Sequence, residues 1–220
     1  MKRRTLILSG LGAATALVVG WGVMPPRSRQ GRADTMPVVG GEVGLNGWIK
    51  VAAADGHIVL AMNRSEMGQG VHTALAMLVA EELDVALDKV QLVQAGPEKL
   101  YGNVAGFVAA LPFHPADGEP GHETRVVKTG QWVMAKLARE LGINMTGGSS
   151  TVADAWDVLR LAAATARAQL LGAASLEWRL PAAELVVTNG VISHPSGPQG
   201  HYGLFAKAAA ATPSGDVTLK

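Results

Sequence analysis

Apolar residues recur along this chain with two periods, and the switches between them mark its elements. Trp48, Ile49 and Val51, then Ile58, Val59, Leu60 and Met62, bracket Asp55-Gly56, the pattern of two strands joined by a two-residue turn. Val71, Leu75, Leu78, Val79 and Leu83 follow Gly68 to Gly70 at helical spacing, and Val90 and Leu92 alternate as a short strand after them. Residues 94–121 gather Gly, Pro and aromatics without a period and predict a long loop. From Glu123 to Leu141 the apolar positions Val126, Val127, Val133, Met134, Leu137 and Leu141 predict an amphipathic helix ending at Gly142. A longer helix starts at Ser149, Ser150 and Thr151, where Asp154 stands three after Thr151 as in a capping box. Trp156, Leu159, Ala163, Ala166 and Leu170 then line one face. Leu185 to Val187 and Val191 to Ser193, joined by Asn189-Gly190, predict a second hairpin. Hairpins with intervening amphipathic helices and no internal repeat make the expected fold α+β rather than doubly wound.

The first thirty residues follow another logic. Met1 to Arg4 is basic and Thr5 to Met24 is uncharged and rich in Gly, Ala, Leu and Val, ending at Pro25-Pro26. That is the architecture of an export signal. Arg3-Arg4 ahead of a weakly hydrophobic stretch points to the twin-arginine route and to the periplasm or the periplasmic face of the inner membrane. Lys2 replaces the small polar residue usual before the arginines. No small-x-small site follows the apolar run, so residues 5–24 are also read as a possible membrane anchor. Residues 1–26 are thus a signal or anchor, 27–46 a Pro/Gly-rich linker, and 47–220 the folded body. Gly10 and Gly12 imitate a dinucleotide-binding turn, but Thr15 stands in place of the third glycine.

Charge narrows the function. Six of the 19 basic residues precede Asp34, which leaves thirteen basic against 18 acidic residues in the remainder. A nucleic-acid-binding body runs the other way. The chain has no cysteine, so it can hold no iron–sulfur cluster through thiolates. The six histidines show no metal-ligand spacing. Glu81 and Glu82 read as a solvated helix face, and Arg160 and Arg167 as surface charges.

Two helix starts carry the chemistry: Glu66-Met67-Gly68-Gln69-Gly70 and Thr146-Gly147-Gly148-Ser149-Ser150-Thr151. Each puts small or hydroxyl residues where free backbone N–H groups and the positive end of the helix dipole favour an anion. Glycine lets a ligand approach the backbone, and Gln69 offers both a donor and an acceptor. Taken singly, each is also compatible with an ordinary cap.

In this order, together with Val71-His72-Thr73, Ala80-Glu81-Glu82-Leu83, Tyr101-Gly102-Asn103, Phe113-His114-Pro115, Ala155-Trp156, Leu159-Arg160 and Tyr202-Gly203, they resemble the large molybdopterin-binding subunits of the xanthine dehydrogenase and aldehyde oxidase family. The likeness lies with the exported two-subunit branch. It implies that Gly68, Gln69, Gly70, Ser149, Ser150 and Thr151 help hold molybdopterin cytosine dinucleotide. It also implies hydroxylation of an N-heteroaromatic or aldehyde carbon with oxygen from water. Electrons would leave through an iron–sulfur small subunit toward an acceptor such as a c-type cytochrome. The family's large subunits run several times longer, and their glutamate base lies in a region beyond Lys220. No catalytic residue and no metal ligand is therefore expected among these 220, and the chain is expected to be inactive alone. A different class of function, a membrane-tethered non-catalytic binding domain, is the competing expectation.

Overall fold

The computed structural model describes residues 19–119, 121–215 and 217–220. The signal or anchor reading falls mostly on residues 1–18, outside the described residues; among the described ones no helix is long and apolar enough to cross a membrane. The body is mixed α+β. A four-stranded sheet runs in the order β1 (Glu42–Gly44), β2 (Ile49–Ala52), β3 (Ile58–Met62), β4 (Val90–Gln94). Its first three strands are antiparallel neighbours. Strand β4 lies parallel to β3, with Ile58 beside Val90 and Met62 beside Gln94. A parallel neighbour needs a crossover, and helix α1 (Val71–Leu83) supplies it. All five residues of β3 are buried, as befits a strand covered on both faces.

Helix α4 (Thr151–Trp178) is the spine. Its alanines at 155, 162, 163, 166, 173 and 174 are buried with Leu159 and Leu170, and small side chains let α1 and α5 (Tyr202–Ala211) pack close against it. A meander of β5 (Val186–Thr188), β6 (Val191–Ser193) and β7 (Gln199–His201) precedes α5. Asn189 and Gly190 both have positive φ (49° and 75°), the conformation of the tight hairpin turn expected there. The first hairpin forms with a longer turn: Ala52 N donates to His57 O at 2.8 Å, so Asp55 and Gly56 are its tip rather than its whole length.

Several expectations are corrected. The supposed linker carries β1 and buries Arg29, Met36 and Leu45, because the guanidinium of Arg29 finds an acid in α4. The supposed loop 94–121 contains α2 (Val104–Ala109), which Asn103 caps by accepting from Gly106 N at 2.8 Å. Helix α3 (Arg125–Leu141) forms as expected, with Thr124 as its cap, yet it leaves Val126, Leu137 and Leu141 exposed and buries Lys136. Trp156 is exposed, with the Arg160 guanidinium 5.2 Å from its ring. Strand β7 and helix α5 are additional to the elements the sequence predicts, and Gln199–His201 is too short to carry a periodic signal.

Glu82 reverses the surface reading most sharply. It is 1% exposed; Arg160 Nε donates to its Oε1 at 2.7 Å and Arg167 Nη1 to its backbone carbonyl at 2.7 Å. Lys220 N donates to Oε2 at 3.1 Å, so this acid joins α1, α4 and the last described residues. Removing one partner of a buried pair strands the others. Glu82→Ala should therefore lower stability by about 3 kcal/mol, while Glu81→Ala, on the exposed side of the same helix, should stay within about 0.5 kcal/mol of wild type. Thermal or urea unfolding of the two variants checks this.

Candidate functional site

The two helix starts singled out in the sequence face one another across a single cleft of about 540 Å³. Met67, Gln69, Val71 and Ala74 form one wall, and Thr146, Gly147, Ser149, Thr151 and Val152 the other. Ser65 N donates to Thr146 Oγ1 at 2.9 Å, which pins the walls together at their base.

The walls differ electrostatically. At α1 the helix start is already satisfied from within: Glu66 Oε1 accepts from Gly68 N (2.8 Å) and Gly70 N (2.9 Å), and Oε2 from His72 N (3.0 Å). These amides, that of His72 foremost, hold the Glu66 carboxyl below its ordinary value of 4.5. Gly68 (φ 90°) and Gly70 (φ 75°) adopt the left-handed backbone that wraps the loop around the carboxylate, and a Cβ on either would meet only open space. Both glycines shape the loop, and Met67 and Gln69 are the loop residues that line the cleft. Gln69 curls onto its own loop, Nε2 donating to Ser65 O at 2.8 Å and Oε1 accepting from Met67 N. Its polar atoms serve the loop in this structure.

At α4 the start is open. Asp154 N is the first amide to find a carbonyl, Ser150 O at 2.9 Å; those of Thr151, Val152 and Ala153 precede the helical ladder and have no helical partner. Ser149, with φ 53°, is exposed at the rim, and Thr151 lines the cleft. Ser150 is turned away: its Oγ donates to Gly147 O (2.7 Å) and accepts from Asn103 Nδ2 (2.7 Å), so it shapes the turn.

Asp154, the only acid in the first turn of α4, is not a capping residue. It lies buried beneath the cleft and accepts from Arg29 (Nη1 3.0 Å, Nη2 2.7 Å), Arg64 Nη2 (2.6 Å), Val104 N (2.8 Å) and Ala105 N (3.0 Å). Arg64 reaches on to Tyr101 O (3.0 Å) and to Asn144 Oδ1. His72 Nε2 lies 2.9 Å from Arg64 O and closes the circuit back to α1. Arg29, Arg64, Asn103, Asn144 and Asp154 support the site; of these the sequence marks only Asn103, in the Tyr-Gly-Asn motif, and Asp154, as a capping-box residue, and it gives none of the five this role. Among the described residues no cluster of three His, Asp or Glu could hold a metal ion.

Residues 11–105 match the family model of the molybdopterin cofactor-binding domain, a stretch that includes β1 to β4, α1 and the whole Glu66–Gly70 wall. By that match the chain carries molybdopterin cofactor-binding sequence, and it is related to the large subunits of molybdenum hydroxylases. Over 170 residues, 77% of its length, it is 32% identical to the isoquinoline 1-oxidoreductase subunit beta of Brevundimonas diminuta. It spans only 17% of that relative's length. The solved Cu,Mo-CO dehydrogenase aligns over 94% of this chain and 22% of its own, at 14% identity and a TM-score of 0.43. The Thr146–Thr151 wall lies beyond the residues matched by the family model.

The Glu66 clasp has a pH signature. A carboxyl whose folded value is depressed contributes order that is present above about 4.5, its value in the unfolded chain, and lost as pH falls through the lower folded value. The protection of the Gly68, Gly70 and His72 amides, measured as exchange relative to the intrinsic rate at the same pH, should be high at neutral pH and fall below pH 4.5. Glu66→Gln should abolish that dependence; protection that does not change with pH in the wild type contradicts the clasp.

Proposed function

We propose that this cleft takes the pterin and phosphates of molybdopterin cytosine dinucleotide, and that the chain supplies part of the cofactor site of a molybdenum hydroxylase large subunit. The observation that carries the reading is the convergence of two sequence-distant helix starts on one cleft, one of them inside the matched cofactor-binding family. The donor set fits the group. The α4 wall offers the hydroxyls of Ser149 and Thr151 and unpaired amides for phosphate oxygens. The α1 wall, its dipole already met by Glu66, repels a second anion, so the flat, less charged pterin suits it beside Gly68 and Gly70; Gln69 would reach the pterin only by giving up its bonds to Ser65 O and Met67 N. When bound, the cofactor holds molybdenum through its dithiolene and supplies the redox chemistry, so a chain without cysteine suffices. These residues bind, orient and enclose it on one side.

Further parts of the reading rest on the relationship to longer proteins. The reaction class is hydroxylation of N-heteroaromatics or aldehydes with water-derived oxygen. An iron–sulfur small subunit would take the electrons and pass them toward a c-type cytochrome. The residues before Pro25 would carry the folded, loaded protein through the twin-arginine route to the periplasm. Residues 1–220 by themselves give no turnover, because affinity for so large a group needs contacts converging from several sides and the reaction needs a positioned base.

The test is cofactor content. The complete protein is purified from a host that makes the cytosine dinucleotide form, and molybdenum and released cytidine monophosphate are quantified. Both should be present in the wild type and fall about tenfold or more in Ser149→Ala/Thr151→Val, since two hydrogen bonds to charged oxygens are lost at about 1 kcal/mol or more each. Glu81→Gln should leave both unchanged. Full occupancy in the double variant, or a different nucleotide in the wild type, overturns the assignment.

A further inference from the structure

The chain that leads into the body is fastened to it at three successive points. Lys136 of α3 is 3% exposed, and among the described residues it has no carboxylate partner. A buried ammonium needs compensation. Lys136 finds it in the carbonyls of Trp21, Met24 (2.6 Å) and Gly22 (3.5 Å). Residues 19–23 form a helical turn that closes with Met24 N on Gly20 O at 3.2 Å. Those carbonyls are therefore the C-terminal end of a helix, unpaired within it and carrying the negative end of its dipole. Two indoles complete the enclosure. Trp21 lies 4.3 Å and Trp132 4.9 Å from the ammonium, and the rings meet edge to face with centroids 6.4 Å apart.

Three residues on, Arg139 Nη1 donates to Arg27 O at 3.4 Å, and Arg27 itself pairs with Glu140 at 3.5 Å. Arg29 then enters the buried ion pair with Asp154. No free spacer separates the apolar run from the folded body. A protease must draw several residues into its cleft as an extended strand, so proteases favour loop tips over stretches bound along their length.

We propose that α3 is a docking site for the end of the apolar N-terminal segment, built around Lys136 and Trp132. It tethers the backbone of residues 19–28 to the folded body while Val19, Val23 and Met24 stay exposed, which keeps the segment from taking the extended form that a peptidase needs, so that it is retained once the body has folded. The site recognises a helix C-terminus by charge and aromatic enclosure. It makes no demand on the cofactor cleft and stands independently of the function proposed above.

The experiment is limited digestion of the full chain with a protease of broad specificity, the cuts being placed by mass spectrometry. In the wild type the exposed Gly121-His122 stretch should be cut first, and residues 19–28 about tenfold more slowly or less, because cleavage follows the population of the opened state. Lys136→Met, which keeps the aliphatic stem but removes the ammonium, should bring cutting at 19–28 up to the rate at Gly121-His122. Lys128→Met, at an exposed position of the same helix, should change nothing. Should Lys136→Met fail to fold, Trp132→Leu serves in its place, and the wild-type ratio alone already decides. A wild type cut within 19–28 as fast as at Gly121-His122, or protection that survives Lys136→Met, overturns the proposal.

Discussion

The rest of this structure depends on one buried carboxylate. Asp154 ties together the start of α4, the start of α2, the end of β3 through Arg64 and the N-terminal stretch through Arg29. Two guanidiniums and one carboxylate leave the cluster with an excess positive charge. Burial accordingly pushes Arg64 below its usual value, with Arg29 adding to the effect and Asp154 opposing it. Such a cluster is costly to bury and tolerable only when nearly every donor is met. Here the surplus donors are met by carbonyls: Leu100 O and Gly102 O for Arg29, Asn63 O and Tyr101 O for Arg64. The segment from Leu100 to Ala105 is thereby folded around the ion cluster, and the Tyr101 ring, edge-on to Trp48 at 4.9 Å, seals it from above the sheet.

That arrangement explains why the cleft has walls of opposite character. A helix start with an acid in its first turn can use it as a cap, as the spacing of Thr151 and Asp154 suggests. In this chain the acid is drawn inward by two arginines, so the first amides of α4 are left for something else. At α1 the reverse holds: Glu66, four residues before the N-cap Gly70, folds back and takes the amides itself. The same motif of small residues at a helix start thus has two electrostatic outcomes, decided by where the nearest carboxylate is sent. On the function proposed above, the anionic end of the cofactor would meet the open start of α4 and its planar end the wall at α1.

Much of the fold could be read from local signals. Strongly periodic stretches such as Val71 to Leu83, and the Asn189-Gly190 turn, specify their conformation within a few residues and formed as expected. What escaped is long-range. Glu82 stands between Glu81 and Leu83 and Lys136 between Ala135 and Leu137, and nothing local distinguishes a charge that will be buried from one that will be solvated. Their partners are far away along the chain: Arg160 for Glu82 and Trp21 for Lys136. Arg29 lay in a Pro/Gly-rich stretch that composition marks as a linker, and only Asp154 makes it part of the core. For the site, both helix starts were legible. Their meeting was not, because a hydrogen bond between Ser65 and Thr146 leaves no trace in spacing; the capture of Gln69 by Ser65 and Met67 is local, but residue type alone does not tell an amide that serves its own loop from one that serves a ligand.

Asp154 braces both walls of the cleft at once, so hydrogen exchange in Asp154→Asn is the decisive experiment. Asparagine keeps the shape but cannot balance two guanidiniums, and its amide group can accept only on one side. The amides of 63–66, 101–105 and 144–150 should lose protection together, while the β5–β7 meander and α5 keep theirs. Loss confined to the first turn of α4, with the Ser65 side of the cleft as protected as in the wild type, would contradict it.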